Sequence, residues 1–389
     1  MRRVCVFTGS RADYGPLFTV IQALHDDLEA DLRLLVAGGH LVERQGLTVR
    51  QVEEDGFRVD ERVDMVLSND TPSAVAKSTG LAMIGFADAL ARIAPDILVI
   101  LGDRYEALAV AYAAHISSLP IAHIAGGDLS YGSTDDATRH AITKLSHLHF
   151  TANDASRRRV VQMGERPERV HATGLPSIDR VVSMRFLDRT ELDRRLNTRL
   201  RDPVFVVTYH PATADRQGSR AGVRGLLAAL DGFPDASVVF TGTNVDQDGS
   251  TVSAAIHEYV EAHRQRSIAT PSLGQTVFLS LAKLASLVVG NSSAGLIEAP
   301  AVHTPTVNIG SRQDGRPRAA SVVDCGESAA EITQAIRHAL TVEHQQQSHF
   351  VQSPFGDGRA APRIVSTLKA VDLGSLTPKE FFSIEQSEV

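Results

Sequence analysis

Short apolar runs rich in Val and Ile alternate along this 389-residue chain with longer segments whose apolar positions recur at helical spacing. A strand that is apolar at nearly every position must be covered on both faces. Helices between successive strands supply that cover, so the pattern predicts parallel sheets wrapped by helices. A first series comprises RVCVFTG (3–9), DLRLLVAGG (31–39), DILVILGD (96–103), PIAHIAGGD (120–128) and HLHFTA (147–152). A helix through Leu17, Val20, Ile21, Leu24 and Leu28 follows the first run, and an Ala-rich helix over 106–117 follows the third. Beyond a polar, Arg-rich stretch (185–202), a second series comprises PVFVVTYHP (203–211), ASVVFTGTN (236–244), ASLVVGNSSAG (285–295) and PTVNIGSRQ (305–313). At about 100–200 residues per domain, the length accommodates two domains. The expected fold class is therefore α/β, with two Rossmann-like, doubly wound parallel-sheet domains dividing near residue 180.

Several function classes are excluded by composition and motif. Thirty-nine Lys and Arg against 46 Asp and Glu give a net charge of −7, with no basic excess to neutralise a nucleic-acid backbone. The two cysteines, Cys5 and Cys325, lie in separate apolar runs and form neither a disulfide framework nor a CxxC pair, which points to a reducing cytoplasm. The apolar start of the chain meets Arg11 and Asp13 too soon for a signal peptide, and no stretch is read as a membrane span. Walker A and GxSxG strings are absent. GDGRAA (356–361) follows Pro354-Phe355 instead of a strand, and the histidines of HEYVEAH (257–263) are six apart where one helical face needs four. His147 and His149 share a strand face but lack a third ligand, and read as packing residues. The chemistry is expected to need neither nicotinamide nor metal.

In parallel sheets ligands bind beyond the carboxyl ends of the strands, which singles out the loops TGSRADY (8–14), LGDRYE (101–106) and AGGD (125–128). The sharpest signal is VVGNSSAGLIE (288–298), a strand ending at Gly290, then Asn291, Ser292 and Ser293, then a helix opening near Ala294. Unpaired amides at a helix start attract anions, two hydroxyls add donors, and Gly295 leaves room for close approach, as a diphosphate would require. An ordinary N-cap uses the same residue types. Glu298 suits either ribose hydroxyls or a capping box. Arg11, Arg312, Arg316 and Arg318 all fall in loops after strands, where the guanidinium fork suits phosphate oxygens, though each alone also reads as a solvated charge. Asp103 ends a buried strand, where a charge is costly unless paired or functional. Asp128 follows Gly126-Gly127, and Asp135 and Asp136 open a helix carrying Arg139 and His140. His210, followed by Pro211, is the matching strand-end candidate of the second series.

GSRADYGPL (9–17), LGDRYEALA (101–109), HIAGGD (123–128), DDATRHAITKLSHLHF (135–150), TYHPAT (208–213), GNSSAGLIEAP (290–300), TVNIGSRQDGRPRA (306–319) and SPFGDGRAAPRI (353–364) resemble, in order, the UDP-N-acetylglucosamine 2-epimerase family, most of all its hydrolysing, sialic-acid-pathway branch. The resemblance spans about nine-tenths of the chain and implies a glycosyltransferase-B-like fold, two Rossmann-like domains facing across a cleft. It places the boundaries at 1–180 and 181–359, with 360–375 crossing back to the first domain and 376–389 left as a loose tail. It further implies that Arg11, His210, Ser292, Ser293, Glu298, Arg312 and Arg316 hold the diphosphate or ribose of a UDP-sugar, and that Asp103, Asp128, Asp135 and Asp136 supply acid–base chemistry. Some relatives carry glutamate where this chain has Ala125, and Asp128 is the expected substitute base. A homodimer or higher homo-oligomer is implied by resemblance alone.

The implied reaction is elimination of UDP to a 2-acetamidoglucal, then addition of water to give N-acetylmannosamine. The same residues are compatible with a UDP-2,4-diacetamido-trideoxyhexose as substrate, with a non-hydrolysing enzyme giving UDP-N-acetylmannosamine, or with a nucleotide-sugar-binding protein without turnover.

Overall fold

The computed structural model describes every residue except 70, 132, 211–217, 243–248, 271–272 and 385–389, and no side chain at 218–220 or 249–250. Two parallel sheets form, each wrapped by helices. The first contains β1 (Arg2–Thr8), β2 (Ala30–Ala37), β3 (Glu61–Val63), β4 (Ile97–Leu101), β5 (Ile121–Ile124), β6 (Leu148–Thr151) and β7 (Val170–Ala172), in spatial order β3-β2-β1-β4-β5-β6-β7. The second contains β8 (Val204–Thr208), β9 (Ser237–Thr241), β10 (Ser267–Thr270), β11 (Leu287–Gly290), β12 (Thr306–Ile309) and β13 (Val322–Cys325), in order β10-β9-β8-β11-β12-β13. Each apolar run singled out in the sequence is a strand of one of these sheets. The four strands without such a run, β3, β7, β10 and β13, all lie at sheet edges, where partial exposure removes the demand for continuous apolarity.

The chain divides into two compact units. The first comprises Met1–Asp128, Asp135–Val182 and the chain from Phe355 onward; the second comprises Leu129–Thr134 and Ser183–Pro354. The short segment 129–134 thus belongs to the second unit, where the Tyr131 N–H donates to the Asp314 carbonyl at 3.0 Å.

Alternation along β1 explains the two-sided core of the first unit. Val4 and Val6 face Leu17, Ile21 and Leu24 together with Ile364 and Leu368 of the returning helix Ala360–Ala370, while Cys5 and Phe7 face Phe86, Leu90 and Val110. The returning helix is fixed at its start by buried Asp179, which accepts from the Ala360 and Ala361 N–H groups at 2.9 and 2.6 Å. The first helix ends at His25, and Leu28 lies exposed beyond it, not on its apolar face.

One helix bears on the expectation about membranes. Helix Pro72–Ile93 is long and apolar enough, by length and composition only, to cross a membrane, with mean hydropathy 1.2. Its small residues hide this in a scan for bulky apolar runs. In the fold one face of it seats Ala82, Phe86, Ala89, Leu90 and Ile93 against the first sheet.

The expected loose tail is corrected up to residue 384. Leu376 is buried, Lys379 reaches three backbone carbonyls, and the Phe382 N–H donates to the Gly164 carbonyl at 2.9 Å.

Phe86 is fully buried and meets Phe7 edge-on at 5.4 Å. Phe86→Ala is expected to cost the first unit about 3–5 kcal/mol. Hydrogen exchange of the β1 and β4 amides should accelerate accordingly, while β8 and β11 keep their protection.

Candidate active site

In each sheet the strand order reverses once. The reversal falls between β1 and β4 in the first unit and between β8 and β11 in the second. At such a switch point the loops leaving two neighbouring strands part in opposite directions and open a crevice beyond the carboxyl ends. The candidate residues gather at these two places.

In the first unit the organising group is Arg139 on helix Asp135–Leu145, 1% exposed and so almost wholly removed from water. Its guanidinium pairs with Asp103, just past the end of β4, donates to Asp136 at 3.1 Å and reaches the Asp128 carbonyl at 2.8 Å. Burial opposes its charge, but Asp103, Asp128 and Asp136 together more than offset that penalty and hold it protonated above its ordinary value. Asp103 and Asp136 each keep about a fifth of their side-chain surface exposed (20% and 20%), so a fixed cation presents two partly accessible carboxylates. His140, one residue along, lies 3.5 Å from Asp136; burial lowers its pKa, and its Nδ1 is buried without a hydrogen-bond partner among the described residues. Asp135 opens the same helix.

Asp128 does not share that accessibility. It is 3% exposed, and its carboxylate accepts from the Ser156 hydroxyl at 2.7 Å. Beneath Asp103, fully buried His123 is held neutral, pushed down by burial to about 3, and its Nε2 bonds the Gly102 carbonyl at 2.7 Å. Arg11 stands at the first turn of helix Arg11–His25, where partial burial lowers its pKa. That turn is closed by a capping box of Ser10 with Asp13, which is itself buried and accepts from Thr8 and from the Gly9 and Ser10 amides.

In the second unit Asn291 ties the strand ends together. Its side-chain oxygen accepts from the His210 N–H at 2.7 Å, and its side-chain nitrogen donates to the His210 carbonyl at 2.7 Å. The Asn291 carbonyl accepts from Arg312 at 3.2 Å and from Gln313 at 2.9 Å. One asparagine therefore links the ends of β8, β11 and β12, and its amide is spent on backbone instead of being turned toward a ligand. Gly290, at φ +146°, permits this join: a Cβ there would stand 2.0 Å from the Thr208 carbonyl oxygen. His210 is buried and its backbone is held by Asn291; Pro211 lies outside the described residues.

Two readings of the segment after Asn291 change. The helix expected to open near Ala294 is two four-residue turns, Ser293–Leu296 and Glu298–Ala301, joined at Ile297. Pro300 is the reason: it has no N–H to offer the Leu296 carbonyl, and its ring would collide with that group. Glu298 thus opens the second turn, and the axial dipole available to an anion is that of a single turn. Ser292 remains the N-cap, its hydroxyl accepting from the Ala294 N–H at 3.4 Å. Gly295 makes room for the sheet and not for a ligand, since a Cβ there would come 2.9 Å from Thr306, whose hydroxyl donates to the Gly295 carbonyl at 2.7 Å. Arg318 is likewise structural, donating to the Gln313 and Arg316 carbonyls at 2.7 and 2.6 Å and thereby shaping the loop that carries Arg312 and Arg316.

Three polar atoms beside this knot, Thr208 Oγ1, Arg312 Nε and Gln313 Oε1, are buried with no hydrogen-bond partner among the described residues. Buried polar groups are normally satisfied by protein, ordered water or a ligand, so these atoms mark a place where water or a polar ligand can bind. Gln313 was not singled out in the sequence, because glutamine in a polar loop carries no distinguishing pattern. Among the described residues, no group of three or more His, Cys, Asp or Glu could hold a metal ion.

Residues 22–369 match the model of the UDP-N-acetylglucosamine 2-epimerase family. The chain belongs to this family. It is 32% identical to a Campylobacter jejuni protein named GDP/UDP-N,N'-diacetylbacillosamine 2-epimerase (hydrolyzing), over 98% of this chain and 99% of that one. It is also 32% identical to the Legionella pneumophila UDP-N,N'-diacetylbacillosamine 2-epimerase (hydrolyzing), over 96% and 97%. In fold it is similar to the Neisseria meningitidis UDP-GlcNAc 2-epimerase solved with UDP-GlcNAc, with a TM-score of 0.82 and 18% identity over 95% of this chain and 100% of that one. The two Rossmann-like parallel-sheet units are those of a glycosyltransferase-B-like epimerase.

The Asn291 knot makes a prediction within this epimerase fold. Asn291→Ala removes two buried hydrogen bonds and strands the His210 backbone groups, at a cost of about 2–4 kcal/mol to the second unit. Hydrogen exchange at β8 and β11 measures it; unaltered protection would mean that the amide is free for a ligand.

Proposed function

We propose that this member of the epimerase family is a hydrolysing 2-epimerase acting on a UDP-linked 2,4-diacetamido-trideoxyhexose, UDP-N,N'-diacetylbacillosamine. In this reading the first unit moves protons, and the second unit, with Arg11 of the first, binds the nucleotide. Similarity over nearly the whole chain to two relatives named as hydrolysing diacetylbacillosamine epimerases supports the substrate. The observation that carries the chemistry is Asp103, held at a switch point against buried Arg139 with part of its carboxylate exposed. UDP-N-acetylglucosamine, the sugar for which the family is named, is the second reading.

Carbon 2 of such a sugar bears an amide and no adjacent ketone, so its proton is very weakly acidic. Departure of UDP with the C1–O electron pair builds positive charge at carbon 1, and the C2–H bond then gives up its proton readily. The C2–H electrons become the C1=C2 double bond of a glycal. Water next adds its oxygen to carbon 1, and carbon 2 regains a proton from the opposite face, leaving a free sugar of manno configuration and UDP.

With alanine at 125 and Asp128 spent on Ser156, Asp103 is the base. Asp136, with His140 beside it, is the second proton-handling group, and Asp135 shares its helix end. Arg11, Ser292, Ser293, Glu298, Arg312 and Arg316 bind the UDP portion, stabilising the diphosphate as it leaves. His210, Asn291 and Gly295 shape that site.

Turnover of both UDP-sugars in deuterated water tests the reading. The expected result is UDP release in step with a manno-configured free sugar deuterated at carbon 2, faster with the diacetamido substrate. Asp103→Asn should lower kcat by about 10²–10⁴-fold and leave UDP affinity unchanged. UDP released with an undeuterated gluco sugar would mean plain hydrolysis, and a retained UDP-linked product would mean a non-hydrolysing enzyme. No turnover at all would leave a binding protein.

A further inference from the structure

The C-terminal strand of chain that follows the returning helix ends at the helix bearing Asp135, Asp136 and Arg139. After the Leu373–Ser375 turn, Leu376 is buried and the backbone runs to the carboxyl end of helix Asp135–Leu145. There Lys379, with 15% of its side chain exposed, donates to the carbonyls of Thr143 at 3.3 Å, Lys144 at 2.8 Å and Ser146, and pairs with Glu165 at 2.8 Å. The last carbonyls of a helix lack partners within it and carry partial negative charge. Ser146 and His147 follow this helix, with no glycine to close it. The Thr143 carbonyl accepts from the Ser146 N–H at 3.1 Å, and an ammonium brought from more than 230 residues away in sequence adds a second donor to it and satisfies the Lys144 and Ser146 carbonyls.

The rest of the strap is fixed as specifically. Glu165 is 3% exposed and also accepts from Lys144 at 2.6 Å and from His149 at 3.0 Å. Glu380 pairs with Arg166, and Arg169 donates to the carbonyls of Ser375 and Leu376. The Phe381 ring lies over Gly164, where a Cβ would stand 2.3 Å from the ring and where φ is +87°. Only glycine admits that seat.

Thr143 connects the strap to the carboxylates. Its carbonyl faces Lys379, while its hydroxyl is shared between the Arg139 carbonyl at 3.1 Å and His123 Nδ1 at 3.2 Å. His123 in turn bonds the Gly102 carbonyl, one residue before Asp103. Fraying at 143–146 would therefore disturb both the helix that carries Arg139 and the loop that carries Asp103.

We propose that Lys379 is a positioning residue: through the C-terminal strap it caps helix Asp135–Leu145 and so aligns Asp103 and Asp136 about Arg139. This rests on the reading that those carboxylates move the substrate's protons.

The test uses the full chain with Lys379→Met, and with Lys379→Cys before and after aminoethylation by 2-bromoethylamine, which rebuilds a lysine-like ammonium. A wild-type sample given the same reagent controls for Cys5 and Cys325. Lys379→Met is expected to lower kcat by about tenfold or more, with KM and the affinity for UDP unchanged. Amides 141–146 should exchange faster in both variants and those at 293–296 should not, and aminoethylation should restore most of the lost kcat. Unchanged kcat, or a parallel loss of UDP affinity, would overturn the proposal. If the wild-type protein turns over neither UDP-sugar, the functional reading fails instead. Exchange at 141–146 then still decides the strap's role, and equal rates in Lys379→Met and wild type would refute it.

Discussion

A guanidinium with almost no access to water must be surrounded by oxygen, and Arg139 is surrounded by that of Asp103, Asp136 and the Asp128 backbone. Removing one partner from such a buried cluster typically costs about 3–5 kcal/mol, because the charge left behind is uncompensated. The cluster thus fixes the end of β4, the loop after β5 and the first turns of helix Asp135–Leu145 relative to one another. It also presents two partly exposed carboxylates at one point of the first sheet. The proton chemistry proposed for this chain depends on that arrangement.

The second sheet meets the corresponding requirement with a neutral group. Asn291 joins three strand ends through its side-chain bonds to the His210 backbone and through its own carbonyl, which accepts from Arg312 and Gln313. A site for a leaving diphosphate gains from this economy, since a buried carboxylate in place of Asn291 would repel the charge that must accumulate there. Parallel sheets supply both platforms: their strands are buried on both faces, so only the strand ends can carry chemistry.

Much of this was legible in the sequence, for identifiable reasons. The inner strands announce themselves because burial on both faces demands unbroken apolar runs, and Asp103 stood out because a charge ending such a run needs a partner. Which partner it has was not legible. Arg139 lies 36 positions away and looks like any helical arginine until the fold brings it to the end of β4. The edge strands were missed because half-exposed strands need no apolar run. The role of Gly295 was misread because close packing and ligand contact both select a residue without a side chain. The strap escaped notice because its hold lies in one lysine and three distant carbonyls, and polar termini usually read as loose.

In the proposed division of labour the second unit, with Arg11 of the first, holds the nucleotide and the first moves the protons. Hydrogen exchange of the full chain with and without saturating UDP tests it most directly. The account predicts slowed exchange at the amides of 292–297 beyond β11, and unaltered exchange at 102–104 and 135–140. Protection confined to the loops after β4 and β5, with 292–297 untouched, would contradict it.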